Sequence, residues 1–153
     1  MQWFRVDNRL VHGQIIEAWL PFTGVKNLIV ANDALAQDLL RQQIMLLAVP
    51  QRVRTHFVPV AGVEQTMAAC EGDAFVLLEN CHDAGALAEA GVPIPVLNVG
   101  NLHHSEGKRQ LLPHVAVDAA EEALLLRLAE QGVQLDFRSV PNETVRGLDA
   151  RFL

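Results

Sequence analysis

Cysteine is scarce: the 153 residues contain two, Cys70 and Cys81. They form no CxxC-type metal spacing, and two thiols make no disulfide framework, so a reducing compartment is the expectation. Basic residues are outnumbered, 12 Lys and Arg against 18 Asp and Glu, for a net charge of -6. That balance speaks against nucleic acid as the main partner, because phosphate neutralisation needs a basic surface. It leaves room for a local cationic pocket. No window approaches about 18 uninterrupted apolar residues, so no membrane span is expected. The opening MQWFRVDNR meets charge after four residues and has no signal-peptide apolar region. Linkers, repeats and low-complexity tracts are missing as well, and one domain covering residues 1–153 is expected. Two catalytic loops are absent: GxxxxGK[ST], the phosphate loop of nucleotide hydrolases, and GxSxG, the nucleophile elbow.

What is present is a globular composition, 50% apolar and 20% charged. Strand-like and helix-like segments alternate along it. Strands are expected at 2–6, 26–32, 54–60, 74–80, 94–100 and 114–118, with an exposed strand at 133–140. Helices are expected at 13–24, stopped by Pro21 and Gly24; at 34–49, capped by Asp33; at 63–70; at 83–91; and at 119–132, capped by Asp118. The last dozen residues read as a tail. Such alternation with short links predicts an α/β fold: an open, mainly parallel twisted sheet of about six to seven strands with helices on both faces. Ligands of such sheets sit beyond the carboxyl ends of the strands. The loop after the first expected strand, residues 7–13, lies there.

That loop belongs to the stretch RVDNRLVHGQI, residues 5–15. His12 falls at the mouth of the first expected helix, where free backbone N–H groups and the helix dipole favour an anion. Arg9, three residues earlier, can fork onto a phosphate or carboxylate. Arg5 lies within the strand and is not expected to reach the same pocket. Asp7 can fix the tautomer of His12 and leave the other ring nitrogen nucleophilic. Gly13 permits close approach of an anion. Together these make a phosphohistidine site, or else a histidine that only caps or packs at a helix start. Taken alone, a His beside an Arg is structural more often than catalytic.

RVDNRLVHGQI resembles the signature of the enzyme IIB component of the mannose/fructose/sorbose family of the bacterial phosphoenolpyruvate-dependent sugar phosphotransferase system. The likeness continues in IVANDALAQDLLRQQIMLLAVP (29–50), in AGVPIPVLNVGNLHHSEGKRQL (90–111), and in the closing VAVDAAE and LAEQGVQLDFRSVP. It implies a cytoplasmic carrier. A histidine takes phosphate from a phosphohistidine on a IIA protein and passes it to a sugar held by membrane IIC and IID proteins. By motif position the histidine is His12, carrying phosphate on Nδ1, and the phosphate-binding arginine is Arg9. Asp7 and Gln14 fall on positions of the same signature. The resemblance implies no metal or other cofactor, and a homo-oligomer is compatible with it. Where many relatives have Lys and then Ser, Thr or Asn before Pro, this chain has ENCHDA, residues 79–84. That loop is expected near the site, where Glu79, Cys81 and His82 alter its charge.

Other candidates weigh less. His103 and His104 are too few for a metal site, which needs three or four converging ligands. Lys108 is a candidate for positive potential near a phosphate. Cys81 and His82, adjacent on one backbone, are poorly placed as nucleophile and base. His56 and His114 are expected to be structural. Two rival functions stand beside the carrier: a regulatory phosphoprotein without sugar transfer, and a small-molecule-binding α/β module without covalent chemistry.

Overall fold

A computed structural model describes residues 1–144; the expected tail falls largely on 145–153, outside the described residues. Six strands form one parallel sheet: β1 (Gln2–Asp7), β2 (Asn27–Ala31), β3 (Arg54–Val58), β4 (Ala74–Leu78), β5 (Val96–Asn101) and, counted last in the chain, β8 (Gln134–Asp136). Their order is β3-β2-β4-β1-β5-β8, and every pairing is parallel. All five residues of β2 and of β4 are buried, as their apolar runs require when both sheet faces are covered.

On one face the helices α3 (Val63–Ala69), α4 (Cys81–Glu89) and α5 (Ala119–Glu130) pack against alternate strand residues such as Phe4, Val6, Val76, Leu97 and Val99. On the other, Leu28, Val30, Phe75 and Leu77 meet Ile15, Trp19 and Leu20 of the segment after β1. The α/β expectation with helices on both faces therefore holds.

Four elements differ from expectation. The segment at 114–118 is not in the main sheet. Its core, β7 (Val115–Val117), pairs antiparallel with β6 (Arg109–Leu112) in a separate hairpin, bridges to Leu102 just past β5 at Val115, and packs Val115 and Val117 into the core. The exposed strand at 133–140 shrinks to the short edge β8, whose Leu135 and Asp136 are buried. Asp33 caps no helix. Its Oδ1 accepts from the Val60 N–H at 2.9 Å, while Asp38 caps α2 (Leu39–Leu46) by accepting from the Arg41 N–H at 3.1 Å. Pro21 stops nothing: a π-helical turn, Ile15–Trp19, runs into α1 (Leu20–Thr23) with Pro21 in its first turn, where proline is tolerated. Gly24, at φ 63°, ends the helix.

Candidate functional site

Parallel pairing brings the ends of β1, β4 and β5 to one edge, and Asn8 stitches the loops beyond them. Its Nδ2 donates to the Glu79 carbonyl at 2.9 Å, and its Oδ1 accepts from the His103 N–H at 2.6 Å. After Asn8 the chain turns sharply. Leu10 takes φ 56°, a left-handed conformation that a leucine rarely adopts, and is held there with its side chain buried.

Past that turn, His12 Nε2 lies 2.7 Å from Asp7 Oδ2. The imidazole is 6% exposed and Asp7 is fully buried. His12 Nδ1 is buried and has no partner among the described residues. An ionised Asp7 only accepts, so the proton belongs on Nε2 and the lone pair on Nδ1. Among the described residues the backbone N–H groups of Val11, His12, Gly13 and Gln14 find no protein acceptor. A run of free N–H groups at a helix start favours an anion.

Asp7 is held from several sides. Its Oδ2 also accepts from Arg5 Nε at 3.1 Å, Arg5 Nη2 at 3.0 Å and Asn101 Nδ2 at 3.0 Å. Its Oδ1 accepts from the Arg9 N–H at 2.9 Å. Burial pushes the carboxyl up, but the His12 hydrogen bond and the Arg5 charge lead a set of contacts that holds it below the ordinary carboxylate value. Gln14 Oε1 joins the same group, accepting from Asn101 Nδ2 at 2.9 Å and Arg5 Nη2 at 3.2 Å.

From within β1, Arg5 reaches Asp7 and Gln14 rather than the loop N–H groups of residues 11–14. Its guanidinium lies over the Trp19 ring, 5.2 Å from the centroid, and Nη1 donates to Asn98 Oδ1 at 2.7 Å. Burial pushes it below the ordinary arginine value and Asp7 opposes that push; starting so high, it stays cationic. The signal for it was a charge in the middle of an apolar strand. Gly100 on the neighbouring strand makes the room for it: a Cβ there would fall 2.0 Å from Arg5 Cζ. Asn98 and Asn101 carried no separable mark in the sequence.

The remaining candidates part ways. Arg9 is exposed, its side chain unpaired among the described residues. Gly13 is exposed, with open space around a virtual Cβ. Lys108 is drawn elsewhere than expected: its ammonium lies 3.1 Å from Glu121, which also completes the cap of α5, and it makes no contact with the His12 group. In the 79–84 loop Glu79 accepts from Asn32 Nδ2, and Asn80 caps α4 by accepting from the Asp83 N–H at 2.9 Å. Burial pushes the Cys81 thiol up to about 12, so it is no nucleophile. His56 Nε2 faces both Asn27 Oδ1 at 3.2 Å and Cys70 Sγ at 3.6 Å, and His114 bonds the Phe137 carbonyl at 2.6 Å. No helix among the described residues is long and apolar enough to cross a membrane.

The family described as PTS system sorbose subfamily IIB component matches the chain over residues 1–152. The PTS system fructose-specific EIIB component of Bacillus subtilis (strain 168) is 33% identical over 142 residues, 91% of this chain and 87% of that protein. The PTS system mannose-specific EIIAB component of Escherichia coli (strain K12) is 32% identical over 91% of this chain and 44% of its own length. The crystal structure of the IIBSor domain of the sorbose permease from Klebsiella pneumoniae superposes with a TM-score of 0.86 at 28% identity, covering 94% of this chain and 91% of that one. Sequence and fold agree, and the chain belongs to the sorbose subfamily of PTS IIB components, transferases of sugar transport.

Proposed function

We propose that the protein is a cytoplasmic phosphoryl carrier whose accepting atom is His12 Nδ1. The observation that carries the reading is the pairing of His12 Nε2 with Asp7 at 2.7 Å while Nδ1 has no partner among the described residues. The donor is a phosphohistidine on a IIA protein. The Nδ1 lone pair attacks phosphorus as the bond from phosphorus to the donor nitrogen breaks, and that nitrogen leaves with the bonding pair. The proton on Nε2 stays beside Asp7 throughout.

Arg9 and the free N–H groups of residues 11–14 take the phosphoryl oxygens, so positioning and charge neutralisation supply the catalysis and no metal takes part. In the second transfer a sugar hydroxyl on the IIC/IID membrane partners attacks the same phosphorus. His12 Nδ1 is then the leaving nitrogen and departs with the bonding pair, and the hydroxyl proton passes to water or to a base on those partners.

The test is reconstitution with phosphoenolpyruvate, the general phosphotransfer proteins and a panel of IIA proteins. The wild-type chain is expected to take one acid-labile, base-stable phosphate and His12→Gln none, with its fold intact by circular dichroism. A His12→Gln chain phosphorylated at the wild-type rate would refute the site. Phosphorylation of the wild type that passes to no sugar with its IIC and IID partners would instead identify a regulatory phosphoprotein.

A further inference from the structure

Arg5 makes more contacts with the Asp7–His12 pair than anchoring a strand requires. Its guanidinium is fully buried. It places Nε and Nη2 on one oxygen of Asp7, the oxygen that also meets His12. Nη1 holds Asn98 Oδ1 at 2.7 Å and the Arg138 carbonyl at 3.4 Å, and Trp19 covers its face. The other carboxylates near it are engaged: Asp136 with the Arg138 guanidinium at 2.9 Å, and Glu143 with the Ser139 hydroxyl at 2.6 Å. Asp7 is therefore its counter-ion.

We infer that Arg5 is a positioning residue that makes His12 Nδ1 the nucleophilic nitrogen, by keeping Asp7 ionised and aimed at Nε2. The inference rests on the carrier reading above and gives it a physical cause. A buried carboxylate without a paired charge does not persist as such. Without Arg5, Asp7 has two outcomes. Protonated, it donates to Nε2 and drives the ring proton onto Nδ1. Still ionised, it draws a second proton onto the imidazole. Both outcomes place a proton on Nδ1 and remove the lone pair that attacks phosphorus. The neutral imidazole with a free Nδ1 survives only when one full positive charge already balances Asp7.

Gly100 is part of the same device. Its φ demands nothing special, yet a Cβ there would lie 2.0 Å from Arg5 Cζ and 2.3 and 2.4 Å from its two terminal nitrogens. The methyl group and the guanidinium occupy one space. A side chain at position 100 thus acts on His12 through Arg5.

The test reads the His12 ring by nitrogen-15 NMR in the unphosphorylated protein, alongside kinetics of phosphate acceptance from the IIA donor. The wild type is expected to show Nε2–H alone. Arg5→Met, of similar length and apolar, should show protonation at Nδ1. It should also lower the maximal acceptance rate about 10-fold or more, with the half-saturating donor concentration little changed. Gly100→Ala should reproduce both signatures. The double variant Arg5→Met/Gly100→Ala should be no worse than Arg5→Met, because the clashing group is gone. A purely structural role would change stability and leave the tautomer and the rate split alone. An Arg5→Met chain with Nε2–H alone and the wild-type maximal rate overturns the inference. If Arg5→Met does not fold, a folded Gly100→Ala chain with an unchanged ring and rate overturns it equally. If the ring responds to Arg5→Met but His12→Gln still takes phosphate, the carrier reading fails and the hold of Arg5 on the imidazole stands.

Discussion

Among the described residues, His12 has one ring nitrogen paired and one without a partner. That asymmetry comes from residues packed around Asp7. Other charges at the same edge are less well matched. Burial, reinforced by Asp33 and Glu79, pushes the Asp83 carboxyl above its ordinary value, with His82 opposing. A carboxyl raised in the folded state binds a proton that the unfolded chain has already lost. Its effect on stability is therefore neutral below the unfolded value near 4 and unfavourable once pH has risen through the folded value. Asp83→Asn removes that penalty and keeps the backbone N–H that Asn80 caps. Denaturant titrations of both proteins at pH 3.5 and pH 7 should show the variant gaining stability relative to wild type at the higher pH. A difference independent of pH would mean that Asp83 sits in bulk-like solvent.

The elements owe their limits to side chains that hold backbone groups. At α5, Asp118 Oδ1 accepts from the Glu121 N–H at 2.8 Å, and Glu121 Oε1 accepts from the Asp118 N–H at 3.0 Å. This reciprocal box closes the helix start. Asp118→Ala should cost about 1 kcal/mol, which for a chain of this size lowers Tm by roughly 2–4 °C. Calorimetry checks it, and an unchanged Tm would contradict the box. The Asp118 cap was legible because an acid followed three residues later by Glu before an apolar run is a local pattern. Asp33 departs from the expected cap because its carboxylate takes the Val60 N–H beyond another strand, a tertiary contact that no local pattern shows. The same limit hid β6, which is a strand only through pairing with β7. A long side chain folded across Gly100 carries Arg5 two residues along its own strand to Asp7, a contact that strand position alone does not show.

Across the whole molecule, the parallel sheet gathers three loop ends at one edge, and Asn8 joins them. The alternation of apolar segments made that edge, and the 7–13 loop upon it, readable from sequence alone. The polar lattice beneath it was not, because Asn98, Asn101 and Gly100 gain meaning only when β5 lies beside β1. The lattice pairs Arg5 with the same Asp7 oxygen that meets His12 Nε2. On the proposed reading, this lattice presents His12 Nδ1 for phosphorylation. The most direct measurement is phosphorus–nitrogen correlation NMR on the protein phosphorylated by its IIA donor. Phosphorus is expected to be bonded to His12 Nδ1, with the proton retained on Nε2. Phosphorus on Nε2, or on any other residue, would contradict it.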